Sequence, residues 1–508
     1  MTDETSHDNM PAAKPDHQTP PGAETTATWG AGAGTIQYTA TGKWVVLRKK
    51  DKPAAEIFSV SYVANDRGGD RPVTFVFNGG PGASSVFLHL GAVGPTRVAF
   101  PADGTLPPMP PQLVPNEESW LAFTDLVFVD PIGTGLSRVI EEEKKHKDAG
   151  EVTAAEKKED ATDPKEYFGL KRDLESLCEF MSRWLSARGR WGSPVFIAGE
   201  SYGGYRVGRL VRMLQESAGI GLNGAILISP ALEISTLLPS DYDVLGWVDL
   251  LPTMAAAAVH HGRSRAFPAG AALDEVLSEA ESFATGDYAT FLTRGASMAH
   301  AERDRILIRL ADLIGLPADL VARAEGRITM RTFTRELLRD QRKVLGLYDA
   351  TITVTDPFPD RDSFGGPDPT LSGITPAYTM AINRQLRSEI GIETDREYVL
   401  MSLEVNRDWT EDTEQHAFMP PTGATDDFRY GMSLNPHMKA FVTHGRYDLV
   451  TPYYASDRLR NLMRLDPEMA DRVTVRHFGG GHMFYAWEAS RRSFTDEIRS
   501  FVAGALAS

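Results

Sequence analysis

One short turn constrains this chain more than any other feature: Gly199-Glu200-Ser201-Tyr202-Gly203-Gly204. It follows the apolar run 195–198, which has strand character, and leads into a helical pattern over residues 207–214. A strand that becomes a helix so abruptly leaves no room for side chains at Gly199 or Gly203. It also holds Ser201 strained, with its hydroxyl exposed at the sheet edge. The N-terminus of the following helix carries partial positive charge, which favours negative charge developing beside the turn. Such a junction belongs to a parallel sheet. Three further apolar runs, 73–77, 126–129 and 225–228, supply strands for it. Helical patterns between the strands, as at 171–185, complete the alternation expected of an α/β sheet covered on both faces.

The rest of the chain arranges itself around that sheet. Residues 1–34, rich in Pro, Thr and Asp and poor in large apolar side chains, read as a disordered tail. Residues 35–47 and 56–63 are β-rich and separated by Lys49-Lys50-Asp51-Lys52-Pro53, the pattern of an antiparallel pair. The Glu/Lys/Asp/Ala-rich segment 141–165 reads as solvated. From 237 to 427 long amphipathic stretches dominate, such as 301–314 and 332–347, with a Pro/Gly-rich segment over 356–376. That span is a mostly helical cap insertion. Residues 440–443 and 473–478 return to short strands, and 494–503 to a last helix. The division expected is a tail (1–34), a first core part (35–236), a cap (237–427) and a second core part (428–508). The fold expected is the α/β-hydrolase fold: a central, mostly parallel sheet with helices on both faces.

Charge and cysteine content narrow the function. The 508 residues carry 53 Lys+Arg against 69 Asp+Glu, a net −16 that repels polyanions, and no dense basic patch offsets it. Neither nucleic acid nor a membrane surface is an expected partner. Cys178 is the single cysteine and falls in the helical pattern 170–185, so it reads as a small buried hydrophobe. It precludes an intrachain disulfide, and no clustered His/Asp/Glu pattern suggests a metal or organic cofactor. No apolar run approaches the ~18–20 residues that span a bilayer. No basic and apolar leader opens the chain. A cytoplasmic setting is the default expectation, with a periplasmic or secreted one if a signal has been removed.

A serine hydroxyl needs a base to take its proton, and that base needs an orienting acid, in the chain order Ser, Asp, His. Asp448, in His444-Gly445-Arg446-Tyr447-Asp448, follows an apolar strand. His482, in Gly479-Gly480-Gly481-His482-Met483, sits in a glycine-rich loop before the last helix. Among the 12 histidines it alone combines loop position and chain order. His477 lies in a strand pattern, His260 and His261 in the helical insertion, and His444 before the turn. His477 reads as structural and the other three as packed or solvated residues, and Asp457 is the weaker alternative to Asp448 because its surroundings are helical. The loop Asn78-Gly79-Gly80-Pro81-Gly82-Ala83-Ser84-Ser85 follows the early strand 73–77. Its small residues free backbone amides for an oxyanion site.

These motifs, with Asn116-Glu117-Glu118-Ser119-Trp120 and Asp130-Pro131-Ile132-Gly133-Thr134-Gly135-Leu136-Ser137, resemble the serine carboxypeptidase family in type and in order. The resemblance covers residues 70–232 and 436–503. It implies a triad of Ser201, Asp448 and His482, and an oxyanion hole made by the amides of Gly80 and Tyr202. It also implies a grip on the substrate's C-terminal carboxylate by Asn78, Gly79 and Glu200. The substrate implied is a peptide or small acyl compound. One departure carries weight: where the family has a second carboxylate-binding glutamate before x-Gly-Pro, this chain has Ala92-Val93-Gly94-Pro95. Without two carboxyl groups to share a proton with the substrate, weaker C-terminal selectivity and activity less confined to acid are expected. Ala83 stands where the family motif has cysteine. Ser229-Pro230-Ala231 stands in place of Gly-Asn-Gly, and no proline follows His482-Met483. The same triad would also serve an esterase, acyltransferase or aminopeptidase. A non-catalytic binding protein is disfavoured by three intact residues.

Overall fold

The structure, a computed structural model, describes residues 17–31, 34–65, 70–140, 164–361, 363–411 and 423–507. Its ten-stranded sheet opens with three antiparallel strands, β1 (Ala23–Ala31), β2 (Gly34–Lys49) and β3 (Lys52–Ala64). The β2–β3 pairing is the antiparallel pair that the sequence indicates, and its tight reversal places Lys50 and Asp51 at φ 48° and 65°. Strand β1 is a correction, because part of the segment expected as a tail is ordered sheet. Residues 23–30 alternate half-buried and exposed, and β-branched threonines suit that pleat. Trp29 is buried at the inner end, and its indole N–H donates to the Asn116 carbonyl at 2.7 Å. Residues 1–16 and 32–33 of that tail, and 141–163 of the expected solvated segment, lie outside the described residues.

The next strands are β4 (Val73–Phe77), β5 (Asp125–Val129), β6 (Val195–Glu200), β7 (Gly224–Ile228), β8 (Lys439–Gly445) and β9 (Val473–Phe478). The spatial order is β1-β2-β3-β5-β4-β6-β7-β8-β9. From β5 onward every neighbour is parallel, and a two-residue strand, Arg138–Val139, pairs with β3. The chain leaves β4 for β5 on one side and then crosses to β6 on the other. That reversal opens a crevice beyond the carboxyl ends of β4 and β6, where ligands bind in sheets of this kind.

Successive strand residues point to opposite faces, and the core divides accordingly. Phe75, Val127 and Ile197 face helices α1 (Leu170–Arg188) and α2 (Tyr202–Glu216). Val76, Phe128, Ala198 and Phe441 face the other side, which a later helix, Glu488–Leu506, covers. Cys178 is buried and free on α1. A third apolar cluster joins α3 (Leu245–His260), α4 (Leu273–Phe283) and α5 (His300–Ile314) of the insertion to Tyr447, Leu449 and Tyr453 of the core. The expected helical stretch 332–347 is not one helix. It breaks after Met330–Glu336, turns at Arg342 (φ 55°) and becomes a hairpin, Lys343–Leu345 with Thr353–Thr355. The tip of that hairpin reaches the site described next.

Candidate active site

Ser201 stands at the end of β6 with φ 62° and ψ −124°, a backbone conformation that L-residues adopt only under constraint. The constraint is visible at the glycines around it. A Cβ at Gly199 would lie 2.1 Å from the Gly203 carbonyl oxygen, and one at Gly203 would lie 2.6 Å from that of Phe77. The Ser201 amide donates to the Ile228 carbonyl (3.0 Å), and its own carbonyl accepts from Ala231 (3.2 Å). The exit of β7 therefore holds the serine in place.

The same exit meets the other two segments. Ser229 Oγ donates to the His482 carbonyl (2.9 Å), and Thr451 Oγ1 lies 3.0 Å from the Ser229 carbonyl oxygen. His482 Nδ1 bonds Asp448 Oδ2 at 2.7 Å, both side chains being buried. Asp448 Oδ1 accepts the amides of Val450 (2.9 Å) and Thr451 (3.0 Å), and Oδ2 accepts the Thr451 hydroxyl (2.6 Å). A carboxylate so supplied with donors is fixed as an acceptor, which sets Nδ1 as the protonated nitrogen and leaves Nε2 free. Burial disfavours the imidazolium, but the charges of Asp448 and Glu200 outweigh it, so the His482 pKa stands above its ordinary value. Glycine again permits the approach: a Cβ at Gly445 would be 1.9 Å from the Gly481 carbonyl oxygen.

The 78–85 loop lies against the elbow. A Cβ on Gly79 would stand 2.4 Å from the Tyr202 amide nitrogen, and Gly80 has φ 101°. The backbones of Gly79–Gly80 and Tyr202 therefore share one small space. A strand-like run of the insertion braces the loop from outside: Ser402 N donates to Gly82 O (2.7 Å) and Ser84 N to Leu400 O (3.0 Å). From inside, Arg206 donates to Asn78 O (3.0 Å) while forming a buried ion pair with Asp173 (2.7 Å).

Glu200 and Asn78 form a second cluster. Glu200 Oε2 accepts from Asn78 Nδ2 (2.8 Å) and from the Tyr485 hydroxyl (2.7 Å). Burial dominates and pushes the Glu200 pKa up to about 7 against the pull of these donors and of His482. Ala92 is buried in the short π-helical turn His89–Val93. That turn abuts two phenols, since a Cβ on Gly91 would be 2.5 Å from Tyr378 Oη and 2.7 Å from Tyr485 Cε2. Sequence reasoning missed Tyr485, Arg206, Thr451 and Ser229. Of these, Tyr485, three residues after His482, and Thr451, three residues after Asp448, had a positional signal. His477 pairs with Asp457 (3.1 Å), and the two ring nitrogens of His444 bond the Thr451 carbonyl and the Ser456 hydroxyl. Neither histidine is joined to the Ser201–Asp448–His482 grouping by a hydrogen bond. Among the described residues no three His, Cys, Asp or Glu side chains gather as a metal site would require.

A family model described as serine carboxypeptidase matches residues 44–251. The match takes in the 78–85 loop and Ser201 but ends before Asp448 and His482. Pheromone-processing carboxypeptidase KEX1 of Saccharomyces cerevisiae is 33% identical over 159 residues, 31% of this chain and 19% of that protein. Serine carboxypeptidase-like 36 of Arabidopsis thaliana is 27% identical over 187 residues, 36% of this chain and 33% of its own length. The matched part thus spans between 19% and 33% of these curated relatives. The crystal structure of a prohormone-processing carboxypeptidase, KEX1(DELTA)P from Saccharomyces cerevisiae, covers 92% of this chain and 91% of its own, with a TM-score of 0.56 at 16% identity. That likeness is one of fold.

Proposed function

We propose that this chain, whose residues 44–251 match a family model described as serine carboxypeptidase, is a serine-dependent peptidase of that family that removes residues from peptide C-termini through an acyl-enzyme on Ser201. The observation that carries the reading is the 2.7 Å bond between His482 Nδ1 and Asp448, beside the β7 exit that also holds Ser201. In this reading Ser201 Oγ attacks the scissile carbonyl while His482 Nε2 takes its proton. His482 then returns that proton to the leaving amine, and water repeats the sequence on the acyl-enzyme. Asp448 orients the imidazole and stabilises its charged form. The amides of Gly80 and Tyr202 receive the oxyanion, and Asn78, Gly79 and Glu200 receive the substrate's terminal carboxylate.

In this reading Glu200 is the acid that meets that carboxylate, and Ala92 supplies no second one. C-terminal selectivity is therefore expected to be moderate. Among the described residues no helix is long and apolar enough to cross a membrane. With one buried cysteine the fold needs no oxidising compartment, which supports a cytoplasmic setting.

The test uses N-blocked peptides with free-acid C-termini, the matching C-terminal amides, and aryl esters, with products read by mass. Stepwise loss from the free acids at several-fold the rate on amides is expected. Cleavage of esters alone would replace the reading with an esterase. Ser201→Ala is expected to lower kcat by on the order of 10⁵ or more. It is also expected to abolish fluorophosphonate labelling.

A further inference from the structure

We propose that Asp349, carried on the hairpin tip of the insertion, is a positioning residue that sets His482 against Asp448; this rests on the reading of that pair as base and orienting acid. The tip, residues 346–352, is wedged between the two loops that carry the pair. On the aspartate side, Leu449 N donates to Leu347 O (3.1 Å) and Ala350 N to Tyr447 O (3.0 Å). On the histidine side, His482 N donates to Tyr348 O (2.5 Å) and Gly481 N to Asp349 Oδ2 (3.0 Å). The fit is close: a Cβ on Gly481 would lie 2.2 Å from Tyr348 O and 2.4 Å from Asp349 Cα. The Tyr348 ring meets the His482 ring edge-on, with centroids 5.2 Å apart. The backbone amides of Gly481 and His482 thus both end on this hairpin.

Asp349 is an expensive residue to keep there. It is buried, and it has no ion-pair partner among the described residues. Its charge is met only by dipoles: Gly481 N on one oxygen, and Thr351 N (2.9 Å) and Thr351 Oγ1 (2.6 Å) on the other. Burial raises its pKa to about 6, and the nearby Asp448 adds to the rise. A packing role would be filled as well by an apolar side chain, without that cost. What the carboxylate adds is acceptance on both oxygens at once, which ties the histidine loop to the hairpin. An asparagine has one accepting oxygen, so it must turn an N–H towards either Gly481 or Thr351.

The experiment compares wild type, Asp349→Asn, Thr351→Val and His482→Ala on a blocked peptide substrate. Rates are normalised to active sites labelled by a fluorophosphonate, and folding is followed by thermal melts. Asp349→Asn is expected to lower kcat about tenfold with KM within about twofold, and to slow Ser201 labelling in parallel, since both depend on His482 as base. Thr351→Val leaves the Thr351 N–H in place and is expected to shift the same two rates in the same direction by about twofold to threefold. Wild-type kcat and labelling rates in both variants would overturn the proposal, as would a change confined to KM. Should Asp349→Asn not fold, Thr351→Val decides alone, and wild-type rates in it overturn the proposal. An active His482→Ala would instead overturn the underlying assignment of the base.

Discussion

Glu200 concentrates the chemistry of the site at one oxygen. Its Oε2 takes both hydrogen bonds, from Asn78 and Tyr485, a place that the single oxygen of a glutamine can fill. The folded-state pKa of about 7 lies above the ordinary 4.5. The folded chain therefore holds this proton more tightly than the unfolded chain. The associated stability is fully present below pH 4.5 and is lost as the pH rises through about 7. Glu200→Gln removes the ionisation. Its melting temperature is expected to exceed that of wild type at pH 8, with the gap closing as the pH falls to about 5. Ionised Glu200 would also repel a substrate carboxylate. In wild type, KM for free-acid peptides is expected to rise as the pH passes 7, and in Glu200→Gln to stay level. A wild-type KM unchanged between pH 5 and 9 would remove Glu200 from carboxylate binding. The residue itself was legible, because it sits inside the elbow motif. Its pKa was not, because the burial that raises it comes from tertiary packing, and the residues around it include Tyr485, 285 positions away.

Elements were legible where their cause is local. The apolar runs of β4 to β7 and the glycines of the elbow announce themselves within a few residues, so strand, turn and serine could all be placed. Strand β1 could not, because what orders Ala23–Ala31 is its register along β2 and the distant carbonyl of Asn116. Its composition, short of large apolar residues, is that of many disordered segments. The hairpin Lys343–Leu345 with Thr353–Thr355 was hidden in the same way. An amphipathic pattern runs into it, and the packing that bends the chain at Arg342 is tertiary. Trp29 tests whether β1 belongs to the folded core. Trp29→Ala is expected to cost about 3 kcal/mol by urea denaturation, through lost packing and an emptied pocket. Trp29→Phe keeps most of the ring and loses the bond to Asn116, and is expected to cost about 1 kcal/mol. A Trp29→Ala protein as stable as wild type would return β1 to the status of a tail.

At the scale of the whole molecule, the two covered faces of the sheet make the scaffold, while the insertion supplies contacts to it. Its 400–402 run bonds the 78–85 loop, and its 346–352 tip bonds the loops that carry Asp448 and His482. Ser201, Asp448 and His482, the groups proposed to react, are carried by the α/β core, and the loops of Asp448 and His482 are held partly from outside it. The field in which they work is that of a chain with net charge −16. A potential of that sign draws cationic substrates towards the molecule and slows anionic ones, and added salt screens it over a Debye length of about 8–10 Å. For peptides that differ only in a residue remote from the cleaved bond, kcat/KM is expected to be several-fold higher with lysine than with glutamate at about 10 mM ionic strength. The ratio should fall towards one as salt approaches about 0.5 M. Long-range steering of this kind acts on encounter, so the difference should appear in kcat/KM and leave kcat unchanged. A preference that persists in high salt would point to a direct charged contact in the insertion, and a preference for glutamate would exclude steering by net charge.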